Sequence, residues 1–107
     1  HKQNDKKYLT QRTLSQENKT QQVRYIKNSK IQVDDILYLR RNNSVRIKEG
    51  IVLEQNVVSM NLGQTGERTI EEFKVGSTIT DGLVIKNQEL VRIKVTKTYT
   101  AGNIEIV

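Results

Sequence analysis

The chain has 107 residues, 18 Lys plus Arg against 12 Asp plus Glu, a formal net charge of +6, 5% aromatic residues, no Cys, no Pro and a single His. That length supports one modest core, and the missing Cys excludes a disulfide framework, a thiol nucleophile and a zinc ribbon. With its His at position 1, the chain has no internal imidazole to activate a Ser or Thr, and it reads as a mature form or an excised fragment.

The charge excess belongs to residues 1–30. Lys2, Lys6, Lys7, Arg12, Lys19, Arg24, Lys27 and Lys30 stand there against Asp5 and Glu17, leaving ten basic and ten acidic residues beyond. This segment has few apolar side chains (Tyr8, Leu9, Leu14, Val23, Tyr25, Ile26) and no clean period. It reads as a basic polar linker or tail, with Thr13 to Lys27 a frayed helix or disordered. Contact with nucleic acid or anionic lipid is the functional alternative to a solvated spacer.

From residue 31 the period changes to two, which is the mark of half-buried strands. The segment 31–41 is ambiguous: Asp34 can cap a short helix carrying Ile36, Leu37 and Leu39, whereas Ile31, Val33 and Tyr38 favour a strand, the preferred reading. Strands are expected over 45–54, 57–63, 68–75, 83–87, 90–97 and 103–107. Val45 and Ile47 alternate with Arg46 and Lys48, Val58, Met60 and Leu62 share a face, Phe73 and Val75 share another, and Val91, Ile93 and Val95 alternate with Arg92 and Lys94. Turn signals separate them, among them Arg41-Asn42-Asn43-Ser44, Gly63-Gln64-Thr65-Gly66 and Thr80-Asp81-Gly82. The expected architecture is an all-β domain over 31–107, a small antiparallel β-sandwich or partly open barrel of about six strands behind a flexible N-terminal segment.

Little here suggests catalysis. The carboxylate pairs Asp34-Asp35 and Glu71-Glu72 are strand neighbours that point to opposite faces, so they read as solvated surface groups. Gly63-Gln64-Thr65-Gly66 and Gly76-Ser77-Thr78 lack the Gly-Lys-Ser/Thr ending of a phosphate loop and read as turns. The expectation is therefore no enzyme, no catalytic residue, no metal and no cofactor.

One block carries a family resemblance. Gly50-Ile51-Val52, then Phe73-Lys74-Val75-Gly76-Ser77-Thr78-Ile79-Thr80-Asp81-Gly82-Leu83-Val84-Ile85, Leu90-Val91-Arg92-Ile93 and Gly102-Asn103-Ile104-Glu105-Ile106 resemble the homology-region domain of the type II secretion inner-membrane C component and the PilP pilus-assembly lipoproteins. The resemblance implies a periplasmic adaptor, anchored through its parent protein in the inner membrane, that binds the N-terminal domain of a secretin. It also implies a docking edge at the 45–54 strand, with Arg46, Lys48, Gly50, Val52 and Glu54 as partner-binding residues. A nucleic-acid-binding β domain and a structural module of a virion or phage tail are the alternatives, with a cytoplasmic location in place of the periplasm.

Overall fold

The computed structural model describes residues 6–62 and 66–99. The described residues form nine strands: β1 Lys7–Ser15, β2 Thr20–Lys27, β3 Ile36–Leu39, β4 Glu49–Leu53, β5 Val57–Leu62, β6 Arg68–Phe73, β7 Thr78–Thr80, β8 Val84–Ile85 and β9 Val91–Lys97. The only helical turn among the described residues is a 3-10 turn, Asn28–Lys30, so the all-β expectation holds. Two antiparallel sheets form a sandwich-like fold, one of six strands in the order β2-β1-β3-β9-β4-β7 and one of three in the order β6-β5-β8.

Strand β9 shows most directly how sequence becomes core. Its β-branched residues Val91, Ile93 and Val95 are fully buried while Lys94 between them is exposed, the period-two pattern of a strand with one wet face. Cross-strand register places Leu37 of β3 and Val52 of β4 on either side of Ile93, and both are buried. Tyr8, Ile26, Ile79 and, from the facing sheet, Val57 and Ile85 complete the core. Burial raises the pKa of the Tyr8 phenol, whose hydroxyl donates to the Ser44 carbonyl 3.3 Å away.

Several expectations need correction. Residues 7–27 are neither a frayed helix nor a linker: β1 and β2 form a hairpin paired from Lys7↔Lys27 to Ser15↔Thr20, and β1 continues onto β3. Its alternation escapes notice because apolar groups occupy both faces, Tyr8 and Ile26 inside and Val23 and Tyr25 outside. A buried ion pair fastens the hairpin. Arg12 donates from Nε to Asp35 Oδ1 at 2.9 Å and from Nη2 to Oδ2 at 2.8 Å, and Asp35 is 2% exposed. Asp35 is thus no solvated carboxylate, whereas Asp34 is exposed and lies 3.8 Å from Lys94.

The expected 45–54 strand starts at Glu49; before it, Val45 and Ile47 are buried, and Val45 exchanges backbone hydrogen bonds with Leu83 and Gly82. In β5 the buried face is Val57 and Ser59, with Val58 and Met60 only half-buried. Val75 falls outside β6 and is 51% exposed. Strand β7 lies outside the expected strands, since a three-residue strand with one buried residue, Ile79, has almost no period to read. Segment 31–41 takes its strand reading at Ile36–Leu39, and the expected 103–107 strand lies outside the described residues.

Gly50 is closely packed. A Cβ built there would lie 2.5 Å from Ile93 Cγ2 and 2.9 Å from Ile47 Cδ1, both buried in the core. Gly50→Ala is therefore expected to cost about 1–3 kcal/mol through overpacking. Urea unfolding checks this, with a lowered midpoint at unchanged slope as the expected result.

Candidate functional site

The β5–β6 hairpin carries an accessible carboxylate on a firm support. Its base is tied to the body: Val57 is fully buried, Val58 N–H donates to Asn87 Oδ1 at 2.7 Å, Asn87 Nδ2 donates to the Asn56 carbonyl at 2.9 Å, and Asn56 Nδ2 donates to Glu72 Oε2 at 3.1 Å. Among the described residues no other strand pairs with its outer end. Pairing of β5 with β8 stops at Met60↔Val84, while pairing with β6 runs on to Leu62↔Arg68, and β6 is exposed from Arg68 to Glu72.

The sequence Gly63-Gln64-Thr65-Gly66-Glu67 joins these two strands. Gly66 has φ +89°, a left-handed conformation that glycine adopts without steric cost, and a Cβ built there would meet nothing within 4 Å. Glu67 follows it, exposed, with no ion pair or hydrogen bond among the described residues. Most other carboxylates are engaged: Asp35 with Arg12, Asp34 with Lys94, Glu49 with Lys97, Glu54 with Arg92, Asp81 with Arg46 and Tyr99, and Glu72 with Asn56. Hydrogen bonding to Asp81 contributes to raising the Tyr99 phenol pKa, after desolvation. Chemically, Glu67 offers a carboxylate that can accept a proton from water or meet a cation on a facing surface. The described residues include no cluster of three or more metal-ligating side chains.

The residues expected to dock a partner do not come together in this way. Strand β4 is interior, paired to β9 on one side and β7 on the other, so it is not the edge the sequence reading made it. Gly50 and Val52 face the core. Arg46 and Lys48 precede the strand and are exposed, and Glu54 follows it at φ +68°, paired to Arg92.

A family model of the P-type ATPase actuator domain matches residues 8–105. The chain belongs to the P-type ATPase actuator-domain family. A search of curated proteins finds no match.

Membership of this family corrects the reading as a secretion or pilus adaptor, along with the secretin partner and the nucleic-acid and virion alternatives. The residues that carried that resemblance are turns followed by alternating strands, a pattern many small β domains share. P-type ATPases are enzymes, and the actuator domain acts within the same ATPase, on the cytoplasmic side. That agrees with the cytoplasmic alternative and not with the periplasm. Among the described residues, no helix is long and apolar enough to cross a membrane. The family match also begins at residue 8, so the hairpin read as a linker lies within it. Glu67 was missed because an exposed carboxylate leaves no packing pattern; the available signal was a carboxylate directly after a glycine in a hairpin connection.

Proposed function

We propose that this chain is the actuator of a cation-transporting P-type ATPase, that it hydrolyses no ATP by itself, and that Glu67 is the group it carries to the phosphorylated centre. ATPases of the aspartyl-phosphate type split hydrolysis into phosphorylation of an Asp and attack of water on that phosphate. In the second step the water's proton passes to a carboxylate base, the bond between phosphorus and the acyl oxygen breaks, and Asp and inorganic phosphate are released. Among the described residues Asp34, Asp35 and Asp81 each have a cationic partner, and this reading places the phosphorylated Asp in another part of the ATPase.

What favours Glu67 is its place at the end of an anchored arm beside a residue without a side chain. Glu17 is also exposed, but it lies in the turn that closes the β1–β2 hairpin, with no glycine beside it. Glu71 stands mid-strand beside Glu72, and Glu89 lies in the short link between β8 and β9.

Two preparations test the division of labour. The isolated chain should release no phosphate from ATP, and the parent ATPase with this domain excised should lose turnover while keeping phosphorylation. Steady ATP hydrolysis by the isolated chain, or unchanged turnover after excision, would refute the proposal.

A further inference from the structure

The cations of the β1–β2 hairpin have no part in that chemistry. A cleft of about 410 Å³ beside strand β2 is lined by Lys7, Arg24, Lys27 and Lys30, with Arg12 and Tyr25. Only Arg12 among these cations has an acidic partner among the described residues, namely Asp35. The register sets Lys7 directly opposite Lys27, a like-charge cross-strand pair that destabilises the hairpin unless an anion lies between them. On the same face as Lys27, by strand alternation, Tyr25 is 67% exposed and Val23 53% exposed.

We propose that this edge is a docking site for the anionic headgroups of the bilayer that holds the ATPase. The choice of ligand rests on the family reading, because a cation-transporting ATPase works in a membrane; the site itself rests on the charges. Unpaired cations attract a negative surface, and each contributes to binding additively while it lies within a screening length. An exposed Tyr beside an exposed Val suits the boundary between headgroups and acyl chains, where an aromatic body is buried and its hydroxyl stays wet. Free phosphate would leave both side chains in water. Nucleic acid would find one aromatic at this edge, not a row of stacking platforms. Residues 31–107 carry equal numbers of acidic and basic side chains, so the hairpin is the one segment whose charge points the domain at an anionic surface.

Co-sedimentation of the 107-residue chain with vesicles tests this, using phosphatidylcholine alone and phosphatidylcholine mixed with phosphatidylglycerol. Binding is expected only to the anionic vesicles, with release on adding salt. The triple variant Arg24→Gln, Lys27→Gln, Lys30→Gln should bind about a hundredfold more weakly. A charge-matched control, Lys48→Gln, Arg68→Gln, Lys74→Gln, should bind nearly as well as the parent chain, and Tyr25→Ser with Val23→Ser should weaken binding at unchanged charge. Circular dichroism of each variant shows that it is folded. Equal loss in the two triple variants, displacement by inorganic phosphate, tighter binding to duplex DNA than to vesicles, or no binding to anionic vesicles would each overturn the proposal. None of these readouts involves ATP turnover, so their failure leaves the role of Glu67 standing.

Discussion

Replacing Glu67 by Gln in the parent ATPase is expected to lower kcat for ATP hydrolysis by a factor of roughly 10² to 10⁴, the range a positioned general base contributes. Glutamine keeps the size and hydrogen-bonding capacity of the side chain and removes only its ability to take a proton, so KM for ATP should change little. The domain itself should be undisturbed. Glu67 is exposed and has no partner among the described residues, and substitutions at such positions usually alter stability by no more than about 0.5 kcal/mol. A loss of kcat with unchanged unfolding therefore separates a chemical role from a structural one. If kcat and KM both stay at parental values, Glu67 is not the base.

The second large effect concerns stability. Arg12→Ala is expected to destabilise the domain by about 3 kcal/mol, because it leaves the 2%-exposed carboxylate of Asp35 facing only the Gln32 N–H at 2.8 Å. The value lies at the low end for a broken buried pair because the Arg12 side chain is 21% exposed and part of its guanidinium is already hydrated. Arg12 Nη2 also donates to the Lys30 carbonyl at 3.0 Å, so its loss frees the 3-10 turn as well as the hairpin. Small domains are stable by only about 5–15 kcal/mol, and a loss of this size should lower Tm by roughly 10–25 °C. Arg12→Lys should recover part of it, since an ammonium restores the charge without the two-pronged geometry. Differential scanning calorimetry is the check, and a Tm shift of only a degree or two would mean that the hairpin is held by its strand pairing alone.

How much of this was legible depended on where each residue's partner lies. Val91, Ile93 and Val95 announced a strand because their neighbours in sequence, Arg92 and Lys94, do not share their burial. Ile36 to Leu39 read as a strand for the weaker reason of residue type. The β1–β2 hairpin stayed hidden because what secures it is distant in sequence: Asp35 lies 23 residues from Arg12, and β3 supplies the pairing that turns a polar segment into part of a six-stranded sheet. Strand position within a sheet is likewise not a local property. The family resemblance places a docking edge at 45–54, while two strands, β9 and β7, cover the backbone of β4. The lack of a side chain at Gly50 serves close packing against Ile93 and Ile47, which lie far from it or off its strand in sequence. Glu67 belongs to a different category. Nothing in packing, burial or hydrogen bonding distinguishes it until the hairpin that carries it and its freedom from partners are seen together.

The most direct measurement is the decay of the phosphorylated intermediate of the parent ATPase after labelled ATP is chased with unlabelled ATP, compared among the parent, Glu67→Gln and Glu71→Gln. Phosphorylation should occur in all three, reaching at least the parental level in Glu67→Gln, with decay slowed by two or more orders of magnitude in Glu67→Gln alone. Parental decay in Glu67→Gln, or equal slowing in Glu71→Gln, would contradict the assignment of the β5–β6 hairpin as the working end of this actuator domain.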